Sequence, residues 1–167
     1  EHFPLSQYLR DSRIAMIYEG TNGIQALDLV GRKLAANGGR ALFTFFNEVD
    51  DFCGQNEGDA QLAPFVEGLK AARAHLGEGT NWLLSNGMTK PDNAGAASHD
   101  YLQLFGLTAL TYMWCLMAKA AHAAQANGGA QDPFYQNKLT TGRYFLERRL
   151  PEASAHLAKL KAGADSM

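Results

Sequence analysis

An acid followed by two nearby glycines gives this sequence its clearest chemical signal. Residues 17–25 read Ile-Tyr-Glu-Gly-Thr-Asn-Gly-Ile-Gln, so that Glu19 is followed at once by Gly20. Asn22 stands three residues before Gln25, as in a capping box, and this spacing predicts a helix that begins at Asn22. Glu19 would then lie on a tight loop just outside the helix. A carboxylate in apolar surroundings, where glycine lets a planar ligand approach the backbone, is typical of a general base.

On these residues alone, a plainer interpretation of Glu19 is favoured. A carboxylate near a helix N-terminus gains about 0.3 to 1 kcal/mol from the helix dipole without any catalytic role. Glu19 could therefore be a solvated or capping acid, with Gly20 as an ordinary loop glycine.

Glycine- and asparagine-rich breaks divide the rest of the chain into helical segments. The breaks fall at residues 37–39, 54–59, 86–98 and 127–132. Apolar residues between them recur at helical spacing, and no alternating strand pattern competes. One predicted stripe consists of Ala41, Leu42, Phe45, Phe46, Val49 and Phe52, and a second of Leu62, Phe65, Val66, Leu69, Ala72, Leu76 and Leu83.

The later segments complete a predicted all-α, up-and-down helical bundle. A third helix, over residues 98–126, is apolar on nearly every face, as expected at the centre of a bundle. Asp132 as N-cap and Pro133 at the first helical position open a fourth helix, with Phe134, Leu139, Phe145 and Leu146 as its apolar positions. Pro151 ends or kinks this helix before a short one that runs to about Lys161. Short breaks between long helices favour antiparallel neighbours.

Length and composition indicate one globular domain with a sizeable core. The chain has 167 residues, of which 46% are hydrophobic and 19% charged. A net charge of −2 and the absence of a Lys/Arg run argue against a nucleic acid or an anionic membrane as partner. The most apolar stretch, residues 101–118, contains Gln103 and is closed by Lys119 and His122. It lacks flanks that combine aromatic and basic residues, so we interpret it as a bundle helix rather than a membrane span.

Other reactive residue types form no recognisable motif. Cys53 and Cys115 stand far apart, which favours buried free thiols over a zinc or redox site. The five histidines, His2, His75, His99, His122 and His156, show no ligand spacing, and no metal site is predicted. An aromatic and methionine group on the third helix could suggest an acyl pocket but is more typical of a core: Phe105, Met113, Trp114 and Met117.

The region around Glu19 also resembles a known family. Arg10-Asp11-Ser12-Arg13-Ile14, then Ile17-Tyr18-Glu19-Gly20-Thr21 and Ile24-Gln25, resemble the C-terminal catalytic segment of the FAD-dependent acyl-CoA dehydrogenases. The resemblance covers roughly residues 4–36. It implies that Glu19 abstracts the α-proton of an acyl-CoA thioester while the β-hydrogen leaves as hydride to the flavin, and that the Glu19 backbone N–H donates to the thioester oxygen.

The same resemblance assigns roles to the neighbours of Glu19. It implies that Gly20 lies against the substrate and that Thr21, Asn22 and Gly23 contact FAD. Many relatives carry a polar side chain where this chain has Gly23, so a hydrogen bond there would come from the backbone. Arg10 and Asp11 are expected to support the loop through a local ion pair.

The remainder is similar to the additional helical domain of a larger bacterial subgroup, which includes the 3-methylmercaptopropionyl-CoA dehydrogenases. We therefore predict two parts: residues 1–36, the end of the catalytic domain, and residues 37–167, the additional bundle. Because the chain starts at Glu1, it is expected to be a fragment that is inactive alone and whose FAD is held mostly by absent segments. The resemblance implies an acyl-CoA substrate, an electron-transferring flavoprotein, a homo-oligomer and a bacterial cytoplasmic location.

Two alternatives stay open on the sequence. The chain could be a non-catalytic helical interaction or oligomerisation domain in which the motif is a relic. It could also belong to an acyl-CoA oxidase, which performs the same desaturation but passes electrons to oxygen.

Overall fold

A computed structural model describes residues 5–17, 21–87, 89–129 and 132–167. In these ranges the chain forms seven α-helices: α1 (Leu5–Ile17), α2 (Thr21–Asp28), α3 (Arg40–Gln55), α4 (Ala63–Asn86), α5 (Pro91–Ala124), α6 (Pro133–Arg148) and α7 (Glu152–Ala162). A π-helical turn, Leu29–Lys33, follows α2, and a 3₁₀ turn, Ala36–Gly39, precedes α3. The described ranges contain no strand, so the all-α prediction is confirmed.

Helix α5 is the centre of the bundle and runs antiparallel to α4. Near its start the Tyr101 hydroxyl lies 2.8 Å from Thr80 Oγ1, and further along Cys115 Sγ lies 3.4 Å from the Phe65 carbonyl oxygen. Residue numbers therefore fall along α4 as they rise along α5. This register is what a short turn between two long helices produces.

Helix α3 runs parallel to α5 and packs on it through aromatic rings. The Phe45 and Phe105 ring centroids are 5.3 Å apart, and those of Phe52 and Tyr112 are 5.7 Å apart. Aromatic pairs at such separations stabilise packing by about 0.5 to 1.5 kcal/mol beyond the burial of their area. Helix α3 is thus fixed beside the central helix by two consecutive ring pairs.

Helices α6 and α7 together form the fourth element of the bundle, after α3, α4 and α5. Trp114 of α5 packs on Phe145 of α6, with centroids 6.2 Å apart. Asn93, near the start of α5, accepts a 3.0 Å hydrogen bond from the Ala164 backbone N–H just after α7. Both helices are antiparallel to α5, and Pro151 separates them, so the predicted up-and-down bundle and the predicted break at Pro151 are confirmed.

Two apolar clusters make up the core. All seven residues of the stripe predicted for α4 are buried, and six of them belong to these clusters. Leu69 and Leu76 are fully buried. Gly142 allows close approach of α6, because a Cβ there would lie 2.9 Å from the Phe65 ring and 3.2 Å from Trp114. The predicted stripes fail at Ala41 and Phe134, which are exposed. Met113, predicted to lie in the core, is exposed as well.

Helix α5 begins at Pro91, seven residues before the predicted start at Ser98. The run Asp-Asn-Ala-Gly after Pro91 has the composition of a loop, but Pro91 occupies the first helical turn, where its missing N–H costs nothing. Ala97 is buried, and a Cβ on Gly87 would lie only 3.1 Å from the Ala94 Cβ. Packing of small residues therefore overrides the local loop preference.

The N-cap predicted at Asp132 is confirmed. Its carboxylate accepts a 2.9 Å hydrogen bond from the Phe134 backbone N–H, and Pro133 fills the first helical position. We expect Asp132→Ala to lower the free energy of unfolding by about 0.5 to 2 kcal/mol, because one N–H loses its acceptor. Asp132→Ser should retain most of the stability in denaturant titrations. Equal stability of the alanine and serine variants would show that the cap contributes nothing.

Burial of two acidic groups predicts a loss of stability at high pH. Burial raises the pKa of Tyr101 from 10.0 to about 12 and that of the Cys115 thiol from 9.0 to about 12. Between pH 9 and 12 the unfolded chain releases protons that the folded chain keeps, so the free energy of unfolding should fall as pH rises. Denaturant titrations between pH 8 and 11 measure this slope. Tyr101→Phe and Cys115→Ala should each flatten it, and an unchanged slope in both variants would contradict the assignment.

Candidate functional site

The candidate catalytic motif lies at the junction between α1 and α2. Glu19 and Gly20 lie outside the described residues, so their predicted roles stay predictions. Thr21 is the first residue of α2, and Asn22 and Gly23 are exposed in the first helical turn. Because α2 already begins at Thr21, Asn22 is inside the helix and is not its N-cap, which corrects the predicted start.

Helix α2 is fixed to the bundle on one side only. Ala26 is fully buried, and after α2 the side chains of Leu29, Val30 and Leu34 pack against a bundle core cluster. Small and apolar residues on this side let α2 lie directly against α5. The first turn of α2 is thereby held in place while Asn22 and Gly23 remain at the surface.

A charge cluster at the end of α2 adds a local tether. Asp28 Oδ1 lies 2.6 Å from Arg32 Nε, and Asp28 Oδ2 lies 3.1 Å from Lys33 Nζ. The hydrogen bond from Arg32 is the main cause that lowers the pKa of Asp28, followed by the one from Lys33. These side chains reach solvent, so the cluster adds little stability.

The predicted ion pair between Arg10 and Asp11 is replaced by bonds to a shared partner. Gln7 Nε2 donates to Asp11 Oδ1 at 2.7 Å, and Arg10 Nη2 donates to Gln7 Oε1 at 2.6 Å. Adjacent residues on a helix do not face each other, whereas residues three and four apart do. The predicted pairing of Arg10 with Asp11 was therefore wrong: both side chains bond to Gln7, which the sequence did not indicate.

The first turn of α2 has the properties required at one edge of a ligand site. The leading N–H groups of a helix have no intrahelical acceptor, and the helix dipole favours negative charge beside them. A Cβ built on Gly23 meets nothing within 4 Å, so the surface there is open. The turn fits the contact to a flavin that the resemblance implies, but an enclosing wall would have to come from other segments.

A large concavity in the described structure lies elsewhere, between α4 and α6. This groove of about 1320 Å³ is lined partly by Glu67, Arg143, Glu147 and Arg148, whose formal charges cancel. None of the residues 21–23 lines it. Its open shape and balanced charge give no basis for assigning a ligand.

One polar pair was not predicted from the sequence, because its two residues are far apart in the chain. His156 Nδ1 of α7 lies 2.7 Å from Asp100 Oδ1 of α5, and both side chains are largely buried. This pair ties α7 to the central helix. Cys53 and Cys115 are buried free thiols as predicted. In the part of the chain that the structure describes, no three His, Cys, Asp or Glu residues form a group suited to a metal ion.

The sequence of this chain matches a known protein family and several named proteins. The model of the family described as acetyl-CoA dehydrogenase C-terminal like matches residues 45–167. The chain is 36% identical over 168 residues to 3-methylmercaptopropionyl-CoA dehydrogenase of Ruegeria pomeroyi, covering 100% of this chain and 28% of that protein. It is 29% identical over 161 residues to the broad-specificity linear acyl-CoA dehydrogenase FadE5 of Mycobacterium tuberculosis, covering 90% of this chain and 26% of that protein.

A third relative agrees with the first two. Butyryl-CoA dehydrogenase of Syntrophomonas wolfei is 24% identical over 170 residues, covering 99% of this chain and 28% of that protein. The chain therefore spans little more than a quarter of the length of these relatives. The family match covers α4 to α7 completely and most of α3, that is, nearly the whole bundle. The predicted resemblance is confirmed: the chain belongs to the acetyl-CoA dehydrogenase C-terminal-like family.

Proposed function

We propose that this chain is the C-terminal part of an FAD-dependent acyl-CoA dehydrogenase that desaturates an acyl-CoA thioester between its α and β carbons. One observation carries the proposal: the Tyr18-Glu19-Gly20-Thr21 element leads directly into α2, whose Asn22 and Gly23 are exposed. Three relatives that align over 90% or more of this chain all bear the name of an acyl-CoA dehydrogenase, which supports it.

Glu19 would act twice in this reaction. Its carboxylate takes the α-proton, which is weakly acidic and needs a base held against it. Its backbone N–H donates to the thioester oxygen, where negative charge develops as the proton leaves. Bound FAD supplies the acceptor for the β-hydride. Gly20, which lacks a side chain, lets the substrate lie close to the backbone.

Thr21, Asn22 and Gly23 would hold one edge of the flavin. Backbone N–H groups at the start of α2 are available as donors, and Gly23 leaves space beside them. Since α2 is anchored by Ala26 and by the apolar residues after it, these donors keep a fixed position. We propose a boundary between residues 36 and 37: residues 1–36 contribute to the chemistry, and residues 37–167 form the bundle.

The remaining parts of the proposal concern the complete polypeptide. Most contacts to FAD would come from segments outside residues 1–167, so the 167-residue chain alone would be inactive. The complete enzyme would be a homo-oligomer of the bacterial cytoplasm, and electrons would pass to an electron-transferring flavoprotein. An acyl-CoA is the substrate class.

Assay of the full-length polypeptide tests the proposal. It should purify with FAD, lose its oxidised-flavin absorbance when acyl-CoA is added without oxygen, and release the α,β-unsaturated thioester. Reoxidation by an electron-transferring flavoprotein but not by oxygen would identify a dehydrogenase, whereas rapid reoxidation by oxygen would identify an oxidase. A full-length protein without flavin that leaves acyl-CoA unchanged would refute the proposal.

A further inference from the structure

The outer face of α5 is apolar, although nothing in the described part of the chain covers it. Leu110, Met113 and Leu116 are 51%, 44% and 38% exposed, and they recur at helical spacing. Leu102 and Met117 lie on the same side of the helix and are half-buried. We call these five residues the outer face of α5.

The charge pattern sets this face apart from a surface that meets water. The sequence contains no Asp, Glu, Lys or Arg between Asp100 and Lys119. A helix at the surface of a soluble bundle normally carries charged residues on its solvent side. A contiguous apolar patch instead marks a surface that binds another protein segment or a membrane.

Exposed apolar residues also occur on α1 and α2, the two helices on either side of the candidate catalytic motif. Leu27 of α2, the helix that lies against α5, is 52% exposed. Helix α1 exposes Tyr8, Leu9 and Ile14 by 60% or more. A helix of 13 residues is marginally stable alone in water, so α1 needs a surface to pack on.

The length of the relatives indicates what covers these residues. The chain accounts for 28% of two of them and 26% of the third, so most of such a polypeptide lies outside residues 1–167. Any segment that encloses the motif before α2 must come alongside α2. Since α2 lies directly on α5, the same body would meet the outer face of α5 next.

We propose that the outer face of α5 is the docking surface for the part of the same polypeptide that precedes residue 1. This inference rests on the proposed function only in requiring a longer polypeptide. It gives the bundle a positioning role: α5 joins the upstream body to α2 and so fixes the first turn of α2 relative to the flavin. The bundle would then hold the catalytic loop in register without contributing a catalytic residue.

A second copy of the chain and a membrane are the competing occupants. The segment Pro91–Gly129 is long and apolar enough to cross a bilayer, but its other side is packed in the bundle core. A helix that lies on a membrane usually has a basic polar face, and the stretch between Asp100 and Lys119 has no basic residue. The upstream body is therefore the occupant that we test.

Photo-cross-linking in the full-length polypeptide distinguishes the three occupants. A photo-activatable phenylalanine analogue is placed at Met113, or as a matched control at Tyr144, which is 61% exposed on α6 away from the outer face of α5. The expected result at Met113 is a cross-link within one chain, mapped by peptide analysis to residues that precede residue 1. Tyr144 should give no such cross-link.

Each other outcome at Met113 overturns the proposal. A product of doubled mass would assign the face to a second copy, a lipid adduct would assign it to a membrane, and no cross-link would show a free face. If the analogue disturbs folding, Met113→Cys and Tyr144→Cys replace it. Maleimide should then label position 113 at least about tenfold more slowly than position 144, because each 1.4 kcal/mol needed to open the covered face lowers the labelling rate tenfold. Equal labelling rates would likewise overturn it. Neither readout needs flavin or turnover, so a failed activity assay with an upstream cross-link refutes only the proposed function.

Discussion

Replacement of Glu19 by glutamine in the full-length enzyme is expected to slow desaturation by a factor of about 100 to 10,000, the usual contribution of a general base. Glutamine is nearly isosteric and keeps the backbone N–H donor, so only proton abstraction is lost. Flavin content and acyl-CoA binding should therefore stay close to those of the wild type. The measurement is the rate of flavin reduction at saturating acyl-CoA.

Glu48→Gln provides the matched control for this variant. Glu48 is an exposed acid on α3, so the same change of charge is made away from the motif. Its flavin reduction rate should equal that of the wild type. If Glu19→Gln also reduced its flavin at the wild-type rate, another residue would be the base and the plainer interpretation of Glu19 as a capping acid would stand.

Leu69→Ala is expected to destabilise the bundle by roughly 2 to 5 kcal/mol, the range for a fully buried leucine in a packed core. Leu69 is 0% exposed and lies in the cluster that joins α3, α4, α5 and α6. Because we propose that the bundle supplies no acid or base to the reaction, we expect turnover per folded flavin site to be unchanged below the melting transition. Thermal melting and single-turnover flavin reduction of the full-length enzyme measure the two quantities.

Leu84→Ala makes the same substitution on the same helix at a residue that is 56% exposed. Its melting temperature should stay near that of the wild type, since little cavity is created. A collapse of turnover in folded Leu69→Ala would show that the bundle contributes directly to the active site. The boundary proposed between residues 36 and 37 would then be wrong.

Features with strong local chemistry were predictable from the sequence. Asp132 and Pro133 define a helix start by themselves, and the α4 stripe is read from spacing alone. The start of α5 was misplaced because small residues such as Ala97 pack well in a segment whose glycine and asparagine content favours a loop. Helix propensity is a weak guide where tertiary packing decides.

Long-range and outward-facing features were beyond the sequence analysis. The His156–Asp100 pair joins residues 56 positions apart, and no spacing rule connects them. Met113 was assigned to the core because methionine and aromatic residues usually pack inside. Only the fold shows that Met113 lies on the outer face of α5, where its side chain is 44% exposed.

The candidate site was recognised from its motif rather than from its geometry. Glu19 and its neighbours form a short local pattern, so the resemblance identifies them directly. An enclosed flavin site requires walls from several elements, and the described residues supply only the open first turn of α2. We therefore expect segments outside this chain to shape the proposed acyl pocket.

Exchange of the substrate α-proton with solvent tests the central claim most directly. An acyl-CoA analogue that cannot lose a β-hydride is incubated in D2O with the full-length enzyme, and deuterium at the α-carbon is followed by mass spectrometry. The wild type is expected to catalyse the exchange, and Glu19→Gln is expected to be slower by the same factor of about 100 to 10,000. Exchange by Glu19→Gln at the wild-type rate would contradict the assignment of Glu19 as the base.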